Sequence, residues 1–351
     1  MKKIIAVLPG DGIGPEVTEQ AITILKKTAE KYDHEFIFEE ALIGAAAIDV
    51  TGNPYPKETH TLCLNSEAVL FGAIGDPKYD NDPQAKIRPE QGLLKMRKDL
   101  GLYANVRPIF TFKKLLSASP LKEEIIRGTD FIVIRELIGG IYFGKRGRDK
   151  TRTSAFDTSE YSKKEIQRIA KYALALAEKR GKQLTVVDKA NVLETSRLWR
   201  ETVQEMEKDF PNITLSYMFV DNASMQIIKR PSEFDVIVTE NMFGDILTDE
   251  ASVITGSLGM LPSASIGKKT AVYEPIHGSY PKAAGLNTAN PIGSILSAAM
   301  MLEYSFGLKK ERDAVFAAVE KVIDQGFGTK DLSPQKVLGT KELGEKIAKA
   351  I

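Results

Sequence analysis

The sequence predicts an α/β fold on a mostly parallel sheet, divided into two domains. Three observations carry this. Apolar runs of strand character alternate with amphipathic helical stretches from the first residues onward. Charged residues stand just past the carboxyl ends of several apolar runs, where ligands bind in sheets of this kind. At 351 residues, the chain is long enough for two cores.

The chain opens with strand KIIAVL, turn PGDGIGPE and a helix from about Pro15 to Lys31, whose apolar positions are Val17, Ala21, Ile24, Leu25 and Ala29. Pro15 suits the first helical position, because its missing N–H would have had no partner there. Gly10, Gly12 and Gly14 invite a nucleotide-binding reading, but a dinucleotide fingerprint needs glycine where Pro15 stands. A classical Rossmann site is therefore not expected, and a tight turn lining a ligand cleft explains the glycines equally well. Strand EFIFEEAL, helix PKETHTLCLN and strand AVLFGAIG follow. The segment DPKYDNDPQAKIRPE, residues 76–90, is proline-rich, polar and long, which marks a functional loop.

Helix EQGLLKMRKDLG places Arg97 on the face of Leu93 and Leu94. Strand YANVRPIF delivers Arg107 and strand FIVIREL delivers Arg135. Singly, each arginine reads as a structural ion pair. As a set within apolar runs they call for an anion, and guanidinium groups bind carboxylates bidentately, so a di- or tricarboxylate is the expected ligand. Residues 139–161, GGIYFGKRGRDKTRTSAFDTSEY, are polar, basic and glycine-spotted, so they read as an arm that pairs with a partner subunit. Tyr142 within it is either an interface aromatic or an acid/base phenol, and spacing alone favours the interface.

Ser162 begins the capping box SKKE, and the helix to about Arg180 stops at Gly181. Strand LTVVDK ends at Lys189, ahead of Asn191 and a helix from about Glu194 to Lys208. Lys189 is either a general base or an exposed strand-end lysine. Strand ITLSYMFV ends at Asp221, and strand FDVIVT leads into NMFGDILTDEASVITGSLGMLPSASIG. Asp245 and Asp249 there lie one helical turn apart, so they repel unless a cation sits between them. Oxygen ligands favour Mg²⁺ or Mn²⁺, and the alternative is a solvated acidic face. Strand TAVYEPIH, loop GSYPKAAGLNTANP and helix PIGSILSAAMMLEYSFG come next, and His277 is the histidine expected to function, unlike His34 and His60. Helices ERDAVFAAVEKVIDQG and TKELGEKIAKAI close the chain, and a domain interruption falls near 101–104 and again near 256.

Composition excludes several classes. With 48 basic against 47 acidic residues, neither a nucleic acid nor an acidic membrane surface is an expected partner. The single cysteine, Cys63, lies in the apolar run TLCLN and reads as a buried thiol, so no disulfide framework or zinc site is expected. No run approaches the about 20 apolar residues of a membrane span, and the N-terminus lacks a signal-peptide core, so a cytoplasmic protein is expected.

In this order, GDGIGPEV, GLLKMRKDLGLYANVRP, VDKANVLETSRLWR, FVDNASMQ, NMFGDILTDEAS and YEPIHGS resemble the β-decarboxylating dehydrogenases of isocitrate and isopropylmalate over nearly the whole chain. The resemblance implies a two-domain α/β fold that is not a Rossmann fold: residues 1–103 with 257–351 as the cofactor-side domain, and 104–256 as the domain of dimerisation, metal and substrate. It implies a homodimer whose active sites are each built by both subunits. Arg97, Arg107 and Arg135, with Asn191, would hold substrate. Asp245 and Asp249 with Asp221 of the neighbour would surround Mg²⁺ or Mn²⁺. Lys189 of the neighbour and Tyr142 would be the acid/base residues.

GLLKMRK with NMFGDILTDEAS points to the isopropylmalate branch, where Leu93 and Leu94, with Val192 of the neighbour, would form the pocket for the isopropyl group. The implied reaction is oxidative decarboxylation of (2R,3S)-3-isopropylmalate to 4-methyl-2-oxopentanoate in leucine biosynthesis. The alternative is a related dehydrogenase of homoisocitrate, tartrate or another alkylmalate. His277, Gly278, Ser279 and Asn290 would contact the cofactor, with Glu90 and Glu274 near it. The family's NAD users carry an acidic residue after HGSxP, whereas this chain has Lys282, as NADP users do, followed by Ala283 in place of their tyrosine. NAD is the expected cofactor.

Overall fold

The computed structural model describes residues 1–81 and 85–351. The chain forms two compact units, one of Met1–Leu102, Phe112–Pro120 and Thr255–Ile351, the other of Tyr103–Thr111 and Leu121–Ile254.

In the first unit the strands Glu35–Glu40, Lys2–Gly10, Ala68–Ala73, Ala271–Pro275 and Pro262–Ile266 lie side by side in that order. All neighbours are parallel except the last pair. Ala68–Ala73 is buried at every position, as a central parallel strand covered on both faces must be. Pro262–Ile266 is a strand that the sequence pattern does not predict, because PSASI lacks apolar alternation. It forms by folding back on Ala271–Pro275 through a turn closed by Gly267 N–H to the Thr270 carbonyl at 3.1 Å. Helix Gly14–Tyr32 begins with Pro15 inside its first turn, as expected, and buries Val17, Ala21, Ile24, Leu25 and Ala29. Helix Ile292–Tyr304 is buried from Ile292 to Leu302, all round.

The glycine-rich turn is a packing device. Gly12 has φ +59°, and a Cβ there would stand 2.0 Å from the Ser279 carbonyl oxygen. The backbones approach that closely because Ile13 N–H donates to the same carbonyl at 2.8 Å. Asp11 beside it accepts from the N–H groups of Ala45, Ala46 and Gly75, each at 2.9 Å. Asp11 thus anchors the start of a helix, Ala45–Thr51, that periodicity does not reveal. In the 76–90 loop, Pro77–Asp80 is a short helix whose Lys78 and Tyr79 both reach Asp49, at 2.6 Å. Residues 82–84 of that loop lie outside the described residues.

In the second unit the order is Ala104–Phe110, Asp130–Glu136, Val236–Thr239, Gln183–Asp188 and Thr214–Phe219, again parallel except for one pair, here the first. The capping box at Ser162 is present: the Ser162 N–H donates to Glu165 at 2.7 Å, and helix Lys163–Glu178 follows. Residues 139–161 hold a short 3-10 turn, Gly140–Tyr142, and a hairpin of Arg146–Arg148 with Ala155–Asp157. Phe156 in the hairpin is 57% exposed, so it adds nothing to this unit's core. Among the described residues no helix is long and apolar enough to cross a membrane.

Candidate active site

Helix Asn241–Ala251 starts where strand Val236–Thr239 ends, with the Glu240 carboxylate accepting the Phe243 N–H at 2.8 Å. It carries Asp245 and Asp249 one turn apart. Their repulsion is met by guanidinium groups. Arg135, only 2% exposed, donates through Nη1 to Asp245. Arg107 stands 3.6 Å from Asp245 and 3.7 Å from Asp249. Arg107 is itself held through Nε by Asn105 at 2.6 Å, and through Nη1 by Thr248. The Tyr142 hydroxyl donates to the other Asp245 oxygen at 2.8 Å, and its ring lies 5.6 Å from the Arg135 guanidinium carbon.

Burial, together with the negative charge of Asp245, pushes the Tyr142 phenol up to about 12. It therefore keeps its proton throughout the neutral range. Partial burial raises the Asp249 carboxyl above its ordinary value, against the pull of Arg107.

Lys189 and Asp221 lie in the same unit but form a separate pair. Lys189 donates to Asp221 at 2.7 Å, and Asp221, in the first turn of helix Val220–Lys229, is 64% exposed. The lysine hydrogen bond holds the Asp221 carboxyl below its ordinary range. Among the described residues no three His, Cys, Asp or Glu side chains gather in a position to hold a metal. A single chain thus brings Asp245 and Asp249 together and leaves Asp221 with Lys189. Asn191 and Val192 follow in an exposed turn, the valine 60% exposed.

The first unit holds Arg97, Glu274, Leu93, Leu94 and Glu90. Arg97 is buried and pairs with buried Glu274 at 3.3 Å, while its Nε makes no hydrogen bond. Leu93 and Leu94 are half-buried on helix Pro89–Asp99. Glu90 and Ser279 flank Gly75: a Cβ there would lie 3.0 Å from the Glu90 carboxylate and 3.4 Å from the Ser279 hydroxyl.

The same unit contains a cavity of about 360 Å³ lined by Ile13, Leu258, His277, Tyr280, Asn290 and Asp331 among others. Burial holds the His277 ring below its ordinary pKa, and its Nε2 is buried without a hydrogen-bond partner. A neutral imidazole with one unsatisfied nitrogen, in a mostly apolar cavity, suits a flat polar heterocycle. Asp331, which the sequence reading passed over, accepts from Ser257 at 2.5 Å and from Asn290 at 3.0 Å.

Sequence reasoning also missed Asn105, Thr248, Glu136 and Asn241, all buried and all hydrogen-bonded. Glu136 ends strand Asp130–Glu136 and accepts from Gly139 N–H at 2.7 Å and Ile138 N–H at 3.1 Å. Burial raises its carboxyl to about 7. Glu136 and Asn241 carry a sequence signal, a carboxylate or amide at the end of an apolar strand, whereas Asn105 inside a strand and Thr248 inside a helix carry none.

A family profile described as isocitrate/isopropylmalate dehydrogenase matches residues 4–347. The chain belongs to the isocitrate/isopropylmalate dehydrogenase family. It is an oxidoreductase of that family. It is 56% identical to 3-isopropylmalate dehydrogenase of Geobacillus kaustophilus, over 99% of this chain and 95% of that one. It is 55% identical to the Bacteroides fragilis protein of the same name, over 97% and 96%. Among solved structures, isocitrate dehydrogenase from Methylococcus capsulatus superposes with TM-score 0.89 at 31% identity, covering 99% of both chains. A β-decarboxylating dehydrogenase from Thermococcus kodakarensis gives 0.81 at 34%, over 99% of this chain and 96% of that one.

Proposed function

We propose that the chain catalyses NAD-dependent oxidative decarboxylation of (2R,3S)-3-isopropylmalate to 4-methyl-2-oxopentanoate and CO₂, the dehydrogenase step of leucine biosynthesis, as a cytoplasmic homodimer. Near-full-length likeness to 3-isopropylmalate dehydrogenases carries this reading. The cluster around Asp245 supplies chemistry to match.

Asp245 and Asp249 offer only oxygen donors, which fits Mg²⁺ or Mn²⁺. Together with Asp221 of the partner subunit they would hold such an ion, which would supply stabilisation of the negative charge developing on the substrate C2 oxygen. His277, Gly278 and Asn290, which line the cavity, together with Ser279 would hold a nicotinamide dinucleotide, which would supply the acceptor for the C2 hydrogen as hydride. The remaining steps belong to the chain. Arg97, Arg107 and Arg135 bind the malate carboxylates, two of them already aimed at the carboxylates of the metal helix. Lys189 of the partner subunit accepts the C2 hydroxyl proton. Oxidation leaves a β-keto acid, which loses CO₂ from C3, and Tyr142, protonated at neutral pH, returns a proton to C3. Leu93, Leu94 and the partner subunit's Val192 enclose the isopropyl group. They leave an extra carboxylate such as that of isocitrate unpaired.

Exposed apolar side chains support the dimer: Val192, Leu193, Met225 and Ile246 of the second unit are 60%, 39%, 56% and 59% exposed. NAD is retained over NADP because Lys282 supplies only one cation for a ribose phosphate.

The test is NADH formation at 340 nm with 3-isopropylmalate, isocitrate and malate in parallel, with and without Mg²⁺. Turnover of isopropylmalate above the others, abolished by chelation, is expected. Preference for isocitrate, or equal rates without metal, would overturn the reading.

A further inference from the structure

The cluster around Asp245 has a hub that no role above uses. Asn241, the first residue of the metal helix, is fully buried. Its side-chain oxygen accepts two hydrogen bonds from Arg135, from Nε at 3.0 Å and Nη2 at 2.8 Å. Its side-chain nitrogen donates to the Gly139 carbonyl at 3.2 Å. Its backbone N–H donates to the Tyr161 hydroxyl at 3.0 Å, which in turn donates to Glu240 at 3.1 Å. The amide orientation has no alternative: a guanidinium only donates and a carbonyl only accepts, so reversing the amide would break all three side-chain bonds.

Gly139 lies three residues before Tyr142, and the turn between them is tightly determined. Gly140 has φ +70°, and a Cβ on it would stand 2.3 Å from the Tyr161 oxygen. From the other side, Glu136 holds the Ile138 and Gly139 N–H groups, and Gly140 N–H donates to the Glu160 carbonyl at 3.1 Å. Within this turn the Gly139 carbonyl is bonded to the Asn241 amide. One side chain therefore fixes both the guanidinium that meets Asp245 and the turn from which Tyr142 reaches the same aspartate.

We propose that Asn241 is a positioning residue that sets Arg135 and Tyr142 in register with each other, its oxygen serving the arginine and its nitrogen the tyrosine turn. The inference rests on the roles given to Arg135 and Tyr142 above. The two halves of the amide are separable. Asn241→Asp keeps acceptors for Arg135 and removes the donor to Gly139. Asn241→Ser is too short to bridge both.

The experiment measures kcat and KM for isopropylmalate in Asn241→Asp, Asn241→Ser, Tyr142→Phe and the Asn241→Asp/Tyr142→Phe double variant. All are the full-length enzyme with saturating Mg²⁺ and NAD, and each is checked for the wild-type unfolding midpoint. Asn241→Asp is expected to lower kcat about tenfold with KM within about twofold, because an angstrom-scale misplacement of a reacting group costs rate rather than affinity. Asn241→Ser is expected to lower kcat and raise KM together. In the Tyr142→Phe background, Asn241→Asp is expected to add nothing. An equal loss in both backgrounds, or a change in KM alone, would overturn the proposal. If Asn241→Asp does not fold, the serine variant decides alone: unchanged kcat there also overturns it. A wild-type kcat in Tyr142→Phe would instead remove the role of Tyr142, and the two failures are thereby distinguished.

Discussion

Two groups of charged side chains in the second unit differ in how fully the chain satisfies them. Around Asp245 the guanidinium groups are buried and bonded on several sides: Arg135 and Arg107 face the carboxylates, Asn241, Asn105 and Thr248 hold the guanidinium groups, and Tyr142 closes the far side. Lys189 and Asp221 pair with each other, the lysine half-buried and the aspartate 64% exposed. A buried charge without a partner is costly, so the two arginines need partners supplied within the chain. The second group is cheap to leave open. The contrast teaches that one chain prearranges the arginines and the tyrosine around Asp245, the half to which the proposal gives substrate binding and protonation. On the proposed reading, Lys189 and Asp221 are the half that a second copy uses.

Tyr142→Phe breaks the first group most directly. It should lower kcat about 10²- to 10⁴-fold with little change in KM, in steady-state assays with isopropylmalate. A parallel rise in KM would mean that the hydroxyl holds substrate rather than delivers a proton.

The cost of burying the first group is measurable at Glu136, which supports the Tyr142 turn. An unfolded glutamate titrates near 4.5, whereas burial holds Glu136 at about 7. Between those values the folded chain binds the extra proton and the unfolded chain does not, so this residue's contribution falls as pH rises and levels off above about 7. The span is at most about 3 kcal/mol. Glu136→Gln does not titrate. Urea unfolding of both proteins should show the variant gaining on the wild type between pH 4.5 and pH 7.5, and a difference independent of pH would contradict the burial argument.

Smaller effects are expected in the apolar pocket. Replacing Leu93 and Leu94 by polar residues should weaken isopropylmalate by tens of fold, and malate much less, since the lost contacts are apolar ones worth about 1–3 kcal/mol. Equal losses for both substrates would sink the pocket assignment. The smallest effect is expected at exposed Lys282. Lys282→Asp should shift the NAD-to-NADP ratio of kcat/KM toward NAD by roughly tenfold, through repulsion of the ribose phosphate. An unchanged ratio would place Lys282 away from the adenosine.

Much of this was legible in the sequence. Alternating strands and helices, the buried arginines and the Asp245/Asp249 spacing all follow from periodicity and from the cost of burying charge. The strand Pro262–Ile266 was not legible, because its partner rather than its own residues makes it a strand. Nor was Asn241, whose importance lies in bonding two segments more than 100 positions away, a relation that no local spacing encodes. Lys189 and Tyr142 fall between these cases: their positions at a strand end and in a glycine turn were plain, but a role for either needs a neighbour that spacing cannot supply.

The division of the site between two copies is tested most directly by mixing subunits. Tyr142→Phe and Lys189→Met chains are purified separately, then unfolded and refolded together, and NADH formation from isopropylmalate is measured. If each site takes Tyr142 from one chain and Lys189 from the other, random mixed dimers contain one intact site in half of the molecules. The mixture then recovers about a quarter of wild-type activity, although each variant alone is nearly inactive. If both residues act within one chain, every site in the mixture carries a lesion, and no recovery above the separate variants would contradict the account.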